Sequence, residues 1–196
     1  MAITLNGNGT VTGIVNLPRT SMATGSVLQV IHTIKKDLFS TTTYASQGYT
    51  LITGLAATIT PTSSTSKILV SAHVLGACST GRWAGIRLYK AGSCITDACS
   101  SVATWGSAPT ADGVKTNNNF LTIGYNPVDT HEENDPYVCS AEYLDTAGGT
   151  SAITYDLRVT GRESNTTTCI NKGVITESSD ATVAGVSTIT LTEVAS

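Results

Sequence analysis

Three histidines, His32, His73 and His131, are the whole imidazole supply of this 196-residue chain, so any general-base or metal-ligand chemistry built on imidazole must use one of them. His32 and His73 each sit inside an apolar, alternating stretch, VLQVIHTI and ILVSAHVL, where a hydrogen-bonded core or interface histidine is expected. His131 lies in the densest acidic cluster of the chain, Asp129, Thr130, His131, Glu132, Glu133, Asn134, Asp135. Its carboxylates are hard oxygen ligands of the kind Ca²⁺ gathers in sets of about six to eight, but the spacing is not that of an EF-hand loop. A run of like charge reads first as a solvated loop, so no metal is assigned. Paired-carboxylate glycoside hydrolysis needs two carboxyls on opposed walls of a cleft, which a single loop does not supply.

Other catalytic arrangements fare no better. No serine stands in a Gly-x-Ser-x-Gly elbow, and neither the NGNG stretch near the start nor Gly148 and Gly149 opens a helix that would cradle phosphate. These glycines read as turn residues, and no catalytic residue or cofactor is assigned. The aromatic residues offer recognition instead, since a glycan site combines an aromatic face with nearby amides and carboxylates. Trp83 reads as core or interface. Trp105 lies in a polar, Gly- and Ser-rich stretch, and with Asp112, Asn117, Asn118, Asp129, His131 and Glu132 it forms the candidate recognition loop. For Trp105 itself the first reading is an anchor that packs the loop down, with recognition as the alternative.

Composition narrows the field further. Charged residues are 13% of the chain, against about a quarter in an average soluble domain, and Thr is the commonest residue. That favours strands and turns over solvated helices. The formal net charge is -3 with eleven scattered Lys and Arg, which gives no electrostatic footprint for nucleic acid. No apolar run reaches the roughly 18 residues needed to span a bilayer, and the N-terminus lacks the basic and apolar regions of an export signal, so no membrane insertion and no export are expected. Five cysteines without Cys-x-x-Cys spacing fit reduced thiols better than a disulfide framework or zinc ribbon, although Cys94 and Cys99 could meet across a short hairpin.

The elements that must position these groups are strands. Residues 1–25, with Asn6, Gly7, Asn8, Gly9 and Pro18, read as an extended arm, and 26–196 as one domain. Period-two alternation marks 26–34, 55–60, 67–77, 82–90 and 186–194, with shorter strands at 49–53, 120–125 and 167–174. Residues 137–144 and 152–160, joined by DTAGGT, read as the clearest hairpin. Eight or nine strands at this spacing predict an all-β antiparallel sandwich of jelly-roll type, with 91–134 as its loop-rich insert. Strands 27–34 and 68–75 carry apolar residues on both faces, which leaves one face for a partner.

With the strands laid out, three stretches resemble the fibre and appendage proteins of tailed phages of the cyanophage type. They are AITLNGNGTVTGIVNLP, which is similar to fibre leader segments; GSVLQVIHTIKKDLFSTTT followed by LITGLAATITPTSSTSKILV; and AEYLDTAGGTSAITYDLRV with the closing STITLTEVA. The resemblance implies a jelly-roll-like knob assembled as a homotrimer. It implies an arm that joins other virion proteins, and an outward face for a host-surface glycan. It implies a non-enzymatic role in the virion, as tail fibre, head decoration or neck fibre; a carbohydrate-binding module is the alternative outside that class.

Overall fold

Thr, Val and Ile are stiff at χ1 and suit a pleated surface, and from residue 27 onward they recur at alternate positions. A computed structural model describes residues 22–44, 47–79, 83–98, 119–123, 136–162, 164, 166–174 and 184–196. The arm up to residue 21 lies outside the described residues. Eleven strands run through the described residues: β1 Val27–Lys35, β2 Phe39–Thr41, β3 Thr50–Ile59, β4 Lys67–Cys78, β5 Ala84–Lys90, β6 Ser93–Cys94, β7 Leu121–Ile123, β8 Tyr137–Thr146, β9 Ile153–Gly161, β10 Thr168–Ile170 and β11 Ser187–Val194. No α-helix occurs among the described residues.

The strands pair antiparallel in nested order: β1 with β11, β3 with β9, β4 with β8 and β5 with β7. Successive pairs fall alternately into two sheets, the first ordered β1-β11-β4-β8 and the second β3-β9-β5-β7. That is the chain path of a jelly roll, a long antiparallel ribbon rolled into two facing sheets. β10 and β2 extend the first sheet beyond the end of β11, and β6 pairs with the far end of β5.

The core lies between the sheets because alternate residues of each strand point into it. Ile68, Val70, Ala72 and Val74 of β4 and Ile189 and Leu191 of β11 meet Leu55, Ala57 and Ile59 of β3, Ile86 and Leu88 of β5 and Tyr155, Leu157 and Val159 of β9, all buried. Glycine brings the sheets together at one point: a Cβ on Gly76 of β4 would stand 2.5 Å from Ile123 Cδ1 of β7.

Three local expectations are corrected. Residues 137–144 and 152–160 do not form a hairpin, since β8 joins β4 in the first sheet and β9 joins β3 and β5 in the second. The turn between them is an arch across the sandwich. Ala147 is buried and its N–H donates to Ser66 O, while Gly148 N–H donates to Ser64 O, so the arch is tied to another corner rather than closing on itself. The two segments at 49–53 and 55–60 are one strand with an irregularity between Leu51 and Ala56. Gly54, at φ +83°, lies within it, and the inward set accordingly changes from Ile52 to Leu55, Ala57 and Ile59. The short hairpin is formed by Tyr89–Lys90 with Ser93–Cys94, around Ala91 and Gly92, and Thr96–Ala98 is a 3-10 turn. Cys99 lies outside the described residues; Cys78, Cys94, Cys139 and Cys169 are free thiols.

Candidate functional site

The recognition-loop residues Trp105, Asp112, Asn117, Asn118, Asp129, His131 and Glu132 lie outside the described residues. Among the described residues no group of three or more His, Cys, Asp or Glu side chains is placed to hold a metal ion. Trp83 is described and is half-buried just before β5, its carbonyl accepting from Arg162 N–H at 3.1 Å.

His32 and His73 are both exposed, so neither is a core residue. Both lie on the outer face of the first sheet, and strand register defines what surrounds them. At one level Val30, Thr192, Leu69 and Leu144 cross the sheet from β1 to β8. The next level carries His32, Thr190, Ser71 and Glu142, and the one after it Ile34, Thr188, His73 and Ser140. Leu75 and Val138 follow at one end, and Val27, Val194, Lys67 and Thr146 at the other. Directly opposed side chains of this kind are in contact range and act as a unit.

The face is unusual for a sheet with water on one side, where polar residues normally alternate outward. Val30 is 55% exposed, Ile34 46%, Leu144 56% and Val138 70%. Polar groups cross its middle, with a further pair at one end. His32 Nδ1 is 2.7 Å from Thr190 Oγ1, Ser71 O–H donates to Glu142 Oε1 at 2.9 Å, and Lys67 Nζ donates to Thr146 Oγ1 at 2.8 Å.

The outer face of the second sheet is built differently. The Arg87 guanidinium lies 4.4 Å from the Tyr49 ring centre, and that of Arg158 lies 4.0 Å from the Tyr89 ring centre. Arg158 Nε donates to Asp156 Oδ1 at 2.7 Å, a hydrogen bond that, above all other influences, raises the guanidinium pKa. Burial, with Cys94 nearby, raises the Tyr89 phenol above its ordinary value. This face satisfies its charges internally and meets water comfortably, whereas the first sheet's face leaves apolar surface uncovered. The alternation of Arg87 with Tyr89 and of Asp156 with Arg158 put these groups on one face in the sequence, but the pairing across strands was not legible there.

Three of the described thiols, Cys78, Cys139 and Cys169, are held out of reach of chemistry. Burial pushes Cys78 up to about 12 and Cys139 up to about 11, and it raises Cys169 as well. A thiol in that state is a small packing group, not a nucleophile. Compared with protein-family models and with curated proteins, the chain matches none.

Proposed function

We propose that this chain is a non-enzymatic structural protein of a tailed-phage virion, a trimeric fibre or knob-like appendage. Residues 1–25 attach it to neighbouring virion proteins, and the jelly roll faces outward, where the 91–134 insert contacts a host-surface glycan. The observation that carries the assembly reading is the uncovered Val, Ile, Leu and Thr face of the first sheet, an arrangement that a monomer in water does not favour. The phage context is supported by the resemblance of the leader, the SKILV region and the closing strand. Three linked copies would turn weak single sites into useful avidity.

Two measurements test this reading. Light scattering of the purified full chain is expected to give a mass of three chains of 20.2 kDa each, and a monomer at all concentrations would overturn the trimer. Imaging of labelled particles is expected to place three-fold density on the tail. Density on the head or neck would assign the decoration or neck-fibre role instead, and absence from purified particles would remove the virion reading altogether.

A further inference from the structure

We infer that the copies meet through the outer face of the first sheet, the β1 margin of each against the β8 margin of the next, with His32 of one opposite Glu142 of its neighbour. This rests on the trimer reading above and adds to it the surface, the orientation of the axis and the contacts.

The orientation follows from register. Rotation about an axis parallel to the strands keeps every residue at its own level and carries one copy's β1 margin to the next copy's β8 margin. An axis running across the strands would instead set β1 on β1 and β8 on β8, with His32 near His32 and Glu142 near Glu142. The parallel axis brings together groups that complement each other at successive levels. Val30 meets Leu144, two exposed apolar side chains, and His32 meets Glu142 at the next level.

The polar pair is suited to the contact. Glu142 is the only carboxylate on the described part of this face, and it stands on the opposite margin from His32. Within the chain Glu142 Oε1 takes the Ser71 hydroxyl, and His32 Nδ1 is engaged with Thr190. In the tautomer in which Thr190 donates to Nδ1, the imidazole carries its proton on Nε2 and presents a donor toward the carboxylate of the next copy. Around the axis itself the central strands contribute Thr188, Thr190 and Thr192 from β11 and Leu69, Ser71 and His73 from β4, so that His73 is the one ionisable group among them and no second acid is present. Lys67 stands at the end of the face, occupied with Thr146.

The charge test uses the full chain and four variants, with folding monitored by far-UV circular dichroism. Glu142→Lys and His32→Glu are each expected to lose the trimer, and the double variant His32→Glu/Glu142→Lys is expected to regain it. Leu51→Glu, on the opposite outer face, is expected to leave the trimer intact. A covalent readout guards against variants that fail to fold. Val30 and Leu144 lie three strand spacings apart in one chain, about 14 Å, beyond the reach of a disulfide. Val30→Cys/Leu144→Cys treated with a mild oxidant is therefore expected to give a closed three-chain species on a non-reducing gel, which neither single variant gives.

A wild-type trimer that survives both charge variants and yields no three-chain species keeps the trimer reading and overturns this interface. A closed two-chain species overturns the three-fold arrangement. A monomeric wild type overturns both, and particle imaging then judges the virion reading on its own.

Discussion

Asn171 shows how much of this fold hangs on single polar residues. It sits fully buried at φ +65°, a conformation that Asn tolerates better than most residues. Its amide donates to Lys35 O at 2.9 Å and Asp37 O at 3.0 Å, and its carbonyl oxygen accepts from the Ser187 hydroxyl at 2.6 Å. One side chain thereby joins the end of β1, the corner before β2 and the start of β11. Asn171→Ala leaves buried acceptors unpaired and is expected to cost about 1–3 kcal/mol for each group left unsatisfied, read as a lower urea midpoint. Asn171→Gly relieves the backbone but not the lost bonds, so it should recover only part of the loss. Glu193 is a second such residue. Burial alone would raise its pKa, but the nearby Ser66 hydroxyl and the donors from Gln29 and Thr62 outweigh it and hold the carboxyl below the ordinary 4.5. The folded state therefore binds this proton less readily than the unfolded state. The stabilisation is present above pH 4.5 and is lost as pH falls through the folded value. Unfolding midpoints measured from pH 6 down to 3 should fall more steeply for the wild type than for Glu193→Gln.

Among elements, β4 is the member that every layer depends on. It pairs with β11, β8 and β10, and it buries a continuous row from Ile68 to Val74. At Gly76 it is so closely packed that an added methyl would meet Ile123 Cγ1 of the second sheet at 3.1 Å and, on neighbouring β10, the Cys169 carbonyl oxygen at 3.2 Å. The isoleucine end can move, but the carbonyl is backbone. Gly76→Ala is expected to destabilise by about 1–3 kcal/mol, the usual cost of overpacking, measured by urea unfolding. The strands themselves were largely legible, because β11 and most of β4 alternate between more and less buried residues and period two is a local signal. The partner of each strand was not. A DTAGGT turn between alternating segments has the composition of a hairpin, and what makes it an arch is that Ala147 and Gly148 bond to the 63–66 corner, far away in sequence.

At the scale of the whole molecule the two sheets share one core, so they should unfold together. Leu157 of β9 is fully buried between them, and Leu157→Ala is expected to cost about 2–5 kcal/mol from lost transfer energy and the cavity left behind. Tryptophan fluorescence and far-UV circular dichroism should shift by the same amount. Two separate transitions would show that the sheets are not one cooperative unit. The molecule is also two-faced, with an Arg, Tyr and Asp surface on one sheet and a Val, Ile, Leu and Thr surface on the other.

The amino-acid sequence by itself determined the all-β class, the alternation that separates core from surface on β4 and β11, and the presence of two apolar faces on β1 and β4. These depend on side-chain period and propensity, which neighbouring residues settle. Tertiary structure alone decided the nested pairing, the arch between β8 and β9, the Gly54 irregularity and the exposed placement of His32 and His73. It also decided that Val30, His32, Glu142 and Leu144, more than a hundred residues apart in the chain, occupy opposite margins of one surface. Such levels are set by hydrogen-bond register between distant strands, and register is fixed only when the buried faces of both sheets close over a common core.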